Sequence, residues 1–459
     1  MKPFSVRTLL LSSAVLLSTP SAQAANWTNQ GYSPGIDGFN PKETTISASN
    51  VANLALTWQS STTDINGVYA MIEDTGTVFV LSEDSGGSPD VVALDGSTGA
   101  ERWKVLTGYP FGGVQSTGLA AGDGLVFTAC GNAPTNSVEG LCGYSQRTGK
   151  SLWFDNFVAR GVSDGPNPIE RPTFVGGMVY VSESLCDLHL PNCDSFWAMN
   201  AKNGAVIWGA PDPDGGAPDP SGGPLSPAVS SASDLAYIPC IYNFNGDSDL
   251  FSGLCTFASS TGAAGWQYGQ VRNFEDGGLQ AGVSVSGSTV FFNQGDPDNN
   301  IDVLTALNAS TGAASWTFDS VFSYHDLVQP TVAKGAVYWP DGNGTLWSLK
   351  EKTGATRWSF NTWPNGCSPV NGPNGTESQP QFVNGVVFIT TSCSQSGFDS
   401  VDTFALSASD GTILWSGNGG TAYAGGAAPM IVNAELYADC NQVCAYGLPG
   451  GSVHRPNAH

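Results

Sequence analysis

The stretch Ala306-Leu307-Asn308-Ala309-Ser310-Thr311-Gly312-Ala313-Ala314-Ser315-Trp316 decides the fold because it recurs. Thr98-Gly99 leads to Trp103, Thr148-Gly149 to Trp153, Asn203-Gly204 to Trp208 and Thr261-Gly262 to Trp266. Thr353-Gly354 leads to Trp358 and Asp410-Gly411 to Trp415, always with the Trp four residues after the Gly. Successive Trp residues are 50, 55, 58, 50, 42 and 57 positions apart. That period belongs to propeller blades rather than to short solenoid repeats.

Each unit is readable as two strands around a turn. An apolar strand such as Val91-Val92-Ala93-Leu94 runs into a polar turn, where Gly supplies a positive φ. The next strand carries the Trp. A four-stranded unit cannot bury both of its faces alone. A large indole on its last strand can pack against the neighbouring unit, with its N–H on a backbone acceptor. Unrelated hairpins would not keep the Gly-to-Trp distance. A second pattern, Gly-x-Val-Tyr/Phe, recurs at Gly124–Phe127, Gly177–Tyr180, Gly335–Tyr338 and Gly385–Phe388.

The two ends of the chain complement each other. Asn50-Val51-Ala52-Asn53-Leu54-Ala55-Leu56-Thr57-Trp58 reads as a final strand without its turn. Near the C-terminus, Pro429–Val432, Glu435–Ala438 and Val443–Tyr446 read as strands with no Trp strand after them. The N-terminal strand is therefore expected to complete the last blade, closing the ring and removing open sheet edges. Trp58 plus seven repeats predicts an all-β, eight-bladed β-propeller over residues 25–459 as a single domain, about 54 residues per blade.

Composition narrows the function. Met1-Lys2, Arg7, the apolar run Leu9–Leu17 and Ala22-Gln23-Ala24 read as a signal peptide over residues 1–24. The run is too short to span a bilayer, so the expectation is a periplasmic or secreted protein without a membrane span. Ten cysteines in an exported chain favour disulfides. Their spacing suggests five local pairs: Cys130 with Cys142, Cys186 with Cys193, Cys240 with Cys255, Cys367 with Cys393 and Cys440 with Cys444. No Cys-x-x-Cys-His is present for covalent haem. The net charge is −23, with 16 Lys and Arg against 39 Asp and Glu. Such a surface disfavours nucleic acid and anionic membranes and suits solubility or cations.

The Trp unit and the N-terminal order Trp27, Tyr32-Ser33-Pro34, Ile46, Asn50-Val51, Leu54, Trp58 resemble the quinoprotein alcohol dehydrogenases, including their poly(vinyl alcohol) dehydrogenase branch. That resemblance covers essentially the whole mature chain. It implies an eight-bladed propeller holding pyrroloquinoline quinone (PQQ) and Ca²⁺ near its axis, with a separate electron acceptor. Tyr324-His325-Asp326 precedes Asp341-Gly342-Asn343-Gly344 and Leu346-Trp347-Ser348-Leu349. By resemblance Asp341 falls on the general base, and Gln280, Asn343 and Trp347 on cofactor contacts. Asp296, in Asn293-Gln294-Gly295-Asp296-Pro297, and Asp247, in Asn245-Gly246-Asp247-Ser248-Asp249, fall on metal ligands. A hard cation takes carboxylate oxygens and would polarise a quinone carbonyl. A carboxylate beside it would accept the alcohol proton.

The chain also departs from that pattern. Gly278-Leu279-Gln280-Ala281-Gly282 has no aromatic where the family stacks its cofactor on Trp. Gly342 replaces the Arg of the base hairpin, and the family's adjacent Cys pair is absent. A flat polyanionic cofactor needs an aromatic platform and cations. Asp341 opening Asp-Gly-Asn-Gly is equally a hairpin-turn residue, and Asp296 before Pro297 an ordinary turn. Two functions therefore stand side by side. One is an exported oxidoreductase acting on small or polymeric alcohols with PQQ and Ca²⁺. The other is a non-catalytic propeller that binds a protein or glycan.

Overall fold

The computed structural model describes residues 26–61, 65–83, 89–108, 118–131, 139–156, 171–182, 194–211, 226–243, 250–272, 281–296, 299, 301–321, 328–341, 344–362, 375–395, 398–420, 427–440 and 442–450. These form eight antiparallel sheets. The first strands of the sheets touch one another in chain order, and the eighth touches the first. That cycle is the wall of an eight-bladed ring. The first strands are Asn66–Asp74, Ala120–Gly122, Thr173–Val175, Ala228–Ser230, Ala281–Ser286, Thr331–Ala333, Gln381–Val383 and Met430–Val432, in blades 1 to 8. Blade 7 carries an additional short strand, Gly375–Glu377, paired to Val386–Gln395.

Ring closure follows the expectation. Blade 8 is built from Met430–Val432, Glu435–Asp439 and Val443–Gly447, with Ala55–Gln59 as its outermost strand. Leu56 pairs with Tyr446 and Trp58 with Ala445. The Trp58 and Tyr437 rings lie 5.8 Å apart.

The indoles lock neighbouring blades as their spacing suggests, and the partner is specific. Trp58 Nε1 donates to Gly96 O (3.1 Å), Trp103 to Gln146 O (2.8 Å), Trp153 to Ala201 O (2.9 Å) and Trp208 to Ser259 O (3.0 Å). Trp266 donates to Ala309 O (3.1 Å), Trp316 to Glu351 O (2.9 Å) and Trp358 to Ala408 O (3.1 Å). Every acceptor belongs to the Thr-Gly type turn of the next blade. The turn Gly lies flat against the incoming indole: a Cβ on Gly312 would stand 2.5 Å from Trp266 Cε3, and one on Gly354 2.6 Å from Trp316 Cε3. Gly is thus required twice, for its positive φ and for the approach of the ring. Trp415 closes the cycle on Leu54 O at 3.3 Å. There the 3₁₀ turn Val51–Asn53 replaces the Gly turn.

Strand order gives the ring two unlike ends. In several blades the hairpin between first and second strands turns on two residues with left-handed backbone, as at Asp123-Gly124 and Lys334-Gly335, which matches strand twist. These hairpins and the indole-bearing turns share one end. The opposite end receives the second-to-third strand connections and the crossings between blades. Three disulfides brace that loop end: Cys130–Cys142, Cys240–Cys255 and Cys440–Cys444 each tie a second strand, or the residue just beyond it, to the third strand of the same blade. The expected pairs Cys186–Cys193 and Cys367–Cys393 involve residues outside those described.

Candidate functional site at the loop end

Loops on a rigid ring are where binding residues concentrate, and the sequence-derived candidates that are described lie at that end. Asp341 follows the second strand of blade 6, Ala336–Pro340. It is 2% exposed. Its Oδ2 accepts from Ser320 Oγ of blade 5 at 2.7 Å and from Trp347 Nε1 at 2.9 Å. Its Oδ1 accepts the Thr345 amide at 3.1 Å, and its own amide donates to Thr345 O at 3.1 Å. The carboxylate therefore closes a hairpin and ties the seam between blades 5 and 6.

Trp347 belongs to the same seam. Its ring meets Phe318 of blade 5 at 5.2 Å, and Phe318 meets Trp339 at 6.1 Å. This cluster continues into Phe291, Leu304, Val332 and Leu349. The seam also buries Asn293, whose Nδ2 donates to Val328 O at 2.9 Å. Ser320 had no distinguishing signal in the sequence, because its role depends on a residue 21 positions away in the next blade.

Asp296 ends the second strand of blade 5, Thr289–Asp296, and is buried. Its Oδ1 accepts the Asn299 amide at 3.1 Å and its Oδ2 accepts Asn299 Nδ2 at 2.7 Å. Asp341 and Asp296 thus occupy corresponding turns of adjacent blades, each carboxylate accepting two or more N–H or O–H donors. Asp247, Gln280 and Asn343 lie outside the described residues, as do His325 and Asp326. Among the described residues no three His, Cys, Asp or Glu side chains converge as a metal site would require.

A second polar group stands at the loop end of the seam between blades 8 and 1. The register of the first strand of blade 1 skips Gly67 and Tyr69. Burial, then the charge and hydrogen bond of Glu83 and the charge of Asp439, raise the Tyr69 phenol well above its ordinary value. The Tyr69 phenol thus donates to Glu83 in a field of negative charge. Bulges of this kind re-aim side chains beside functional sites. Nothing in the repeat pattern marks Tyr69, because a bulge is not written in apolar periodicity.

The family model PQQ_2, described as outer membrane protein assembly factor BamB, matches residues 87–247 and 251–457. The chain belongs to this family. A stretch of 137 residues is 29% identical to the outer membrane protein assembly factor BamB of Yersinia pestis, covering 30% of this chain and 30% of that relative. The matched stretch therefore spans less than a third of the relative's length. Among solved structures, the quinohemoprotein alcohol dehydrogenase of Comamonas testosteroni superposes with a TM-score of 0.67 at 15% identity, covering 95% of this chain and 82% of that one. A europium-containing methanol dehydrogenase gives 0.60 at 16% identity, covering 90% and 89%. BamB of Moraxella catarrhalis gives 0.53 at 15% identity, covering 86% and 99%. At such identities the likeness is one of fold. The chain is thus a PQQ-like propeller whose fold is shared by these dehydrogenases and by BamB. Among the described residues no helix is long and apolar enough to cross a membrane.

Proposed function

We propose that this chain is an exported propeller that binds a protein through its loop end, in the sense that the name outer membrane protein assembly factor carries for its relatives. The reading of residues 1–24 as a signal peptide supports export. The observation that carries the reading is the state of Asp341. A general base must lie within hydrogen-bond reach of the proton it takes from a substrate. Asp341 is instead buried, with Ser320, Trp347 and Thr345 donating to it. Cofactor fit gives the same answer for the described residues. A cation at Asp296 or Asp341 would meet carboxylate oxygens already facing N–H and O–H donors, whereas a hard cation needs converging oxygens.

The second reading is the PQQ- and Ca²⁺-dependent alcohol oxidoreductase, with Asp341 as base, Gln280, Asn343 and Trp347 on the cofactor, and Asp247 and Asp296 on the metal. What favours it is the placement of Asp296 and Asp341 at matching loop-end turns of neighbouring blades.

One experiment separates the two. Purified protein is supplied with PQQ and Ca²⁺ and assayed for dye reduction with a panel of alcohols, beside the variant Asp341→Ala. The binding reading expects no turnover, no retained quinone and a destabilised variant. The loss should be about 1–3 kcal/mol, because the half-buried Ser320 and Trp347 donors lose their acceptor. Alcohol-dependent reduction that vanishes in Asp341→Asn, with the fold intact, would establish the dehydrogenase instead. Binding is checked directly by titrating a labelled, unfolded outer-membrane β-barrel protein.

A further inference from the structure

The eight innermost strands present an inner edge towards the axis, and unpaired backbone groups there need partners. Residues 27–40 supply them blade by blade. Trp27 exchanges two backbone hydrogen bonds with Glu73 of blade 1, at 2.7 and 2.9 Å. Thr28 O accepts the Ala121 amide of blade 2 at 2.8 Å. Asn29 Oδ1 accepts the Phe174 amide of blade 3 at 2.7 Å, and its Nδ2 donates to Phe174 O at 3.0 Å. Pro34 O accepts Val229 of blade 4 (2.7 Å), Gly35 O accepts Val285 of blade 5 (2.7 Å), and Asp37 O accepts Val332 of blade 6 (2.8 Å). Gly38 O accepts Phe382 of blade 7 at 2.8 Å, and Asn40 Nδ2 donates to Ile431 O of blade 8 at 2.8 Å. In all eight blades the partner is the penultimate residue of the first strand, next to the tight turn.

The segment also crosses the axis. Asn29 is bound to blade 3 and Pro34 to blade 4. Between them, Gly31 O accepts the amide of Gly38, which is itself bound to blade 7, at 2.9 Å. A Cβ on Gly31 would lie 2.6 Å from Gln379 Oε1, just before the first strand of blade 7. Blades 3 and 7 face each other across an eight-membered ring. Gln379 Nε2 and Ser284 Oγ both donate to Ile36 O, at 2.8 Å each. Four residues in this short run are left-handed: Gly31, Tyr32, Ile36 and Gly38. For a β-branched Ile that backbone is costly and persists only where surroundings impose it.

We propose that residues 27–40 are a built-in plug that seals the axial channel at the tight-turn end, leaving a blind pocket whose single mouth is at the loop end. Any axial ligand, whatever its chemistry, enters and leaves past the disulfide-braced loops. The closure is independent of which function the loop end serves.

Hydrogen exchange on the full mature chain tests this. The amides of Ala121, Phe174, Val229, Val285, Val332 and Phe382 should exchange as slowly as central-strand amides such as that of Val92. Fast exchange, as expected of an inner edge facing water, would overturn the plug. A second arm uses Ser284→Cys, at a fully buried position beneath the plug. A soluble maleimide should leave this thiol unmodified in the otherwise intact chain. With Gly38→Val added, whose Cβ would strike Thr331 Oγ1, labelling should accelerate on the order of a hundredfold through local opening. Rapid labelling with Gly38 in place would refute the seal, and the exchange result stands even if the double variant fails to fold.

Discussion

Asp37 shows how a single carboxyl can be read in free-energy terms. Burial raises it from 3.8 to about 6, although the Ser33 hydroxyl, donating at 2.7 Å, and the Phe39 amide pull the other way. The folded chain therefore holds this proton more tightly than the unfolded chain. The resulting contribution to stability is full below about pH 4 and is lost as pH rises through about 6. Asp37→Asn keeps an acceptor for Ser33 and removes the buried charge. It should stabilise the protein at pH 7 by up to about 2–3 kcal/mol, and at pH 4 by nearly nothing. Urea titrations at the two pH values check this; a variant weaker than the parent at pH 7 would contradict it. The turn glycines offer a paired test. Gly354 and Gly335 both have positive φ, but a Cβ on Gly354 would meet Trp316 at 2.6 Å whereas Gly335 faces open space. Gly335→Ala should cost about 1 kcal/mol from backbone strain alone. Gly354→Ala should cost roughly 1–3 kcal/mol more, as the indole is displaced.

At the scale of the element, the hairpins at the loop end are the parts held by covalent bonds. Cys130 and Cys142 are 12 residues apart, and Cys240 and Cys255 are 15 apart. Cross-links closing loops of that size stabilise by about 3 kcal/mol in the chain-entropy account. Replacing Cys130 and Cys142 together by Ser should lower the urea midpoint accordingly, and should increase hydrogen exchange first in Leu125–Gly131 and Glu139–Ser145. A uniform change across all blades would mean that the bond stabilises the ring globally rather than the hairpin. Among the described residues the tight-turn hairpins carry no such brace; indoles dock there instead.

Across the whole molecule, closure makes the first described strand depend on the last blade. Ala55–Gln59 has no partner of its own until Val443–Gly447 is in place. If the ring behaves as one cooperative unit, Trp58→Ala should cost as much as Trp358→Ala, about 3–5 kcal/mol for a large buried aromatic. Equal shifts in denaturant midpoint with a single transition are expected. A small effect at Trp58, or a separate early transition, would show that blade 8 melts independently. The same closure gives the plug its leverage: Asn40 reaches Ile431, 391 residues away.

The repeat of Thr-Gly and Trp was enough to set the number of blades, the strand that closes the ring and the docking of each indole, and the spacing of the cysteines gave three of the disulfide pairs. These features are local: spacing, turn chemistry and a bulky apolar residue specify them wherever the unit recurs. The tasks of Asp341, Asp296 and Tyr69 could not be read in that way. A carboxylate in an Asp-Gly-Asn-Gly turn has the same local sequence whether it awaits a substrate or satisfies Ser320 across a seam. The plug was equally hidden, since Trp27, Tyr32-Ser33-Pro34 and Gly38 carry no periodicity of their own. Only the closed ring brings eight inner strands to one axis, and only there do their unpaired amides select the segment that covers them.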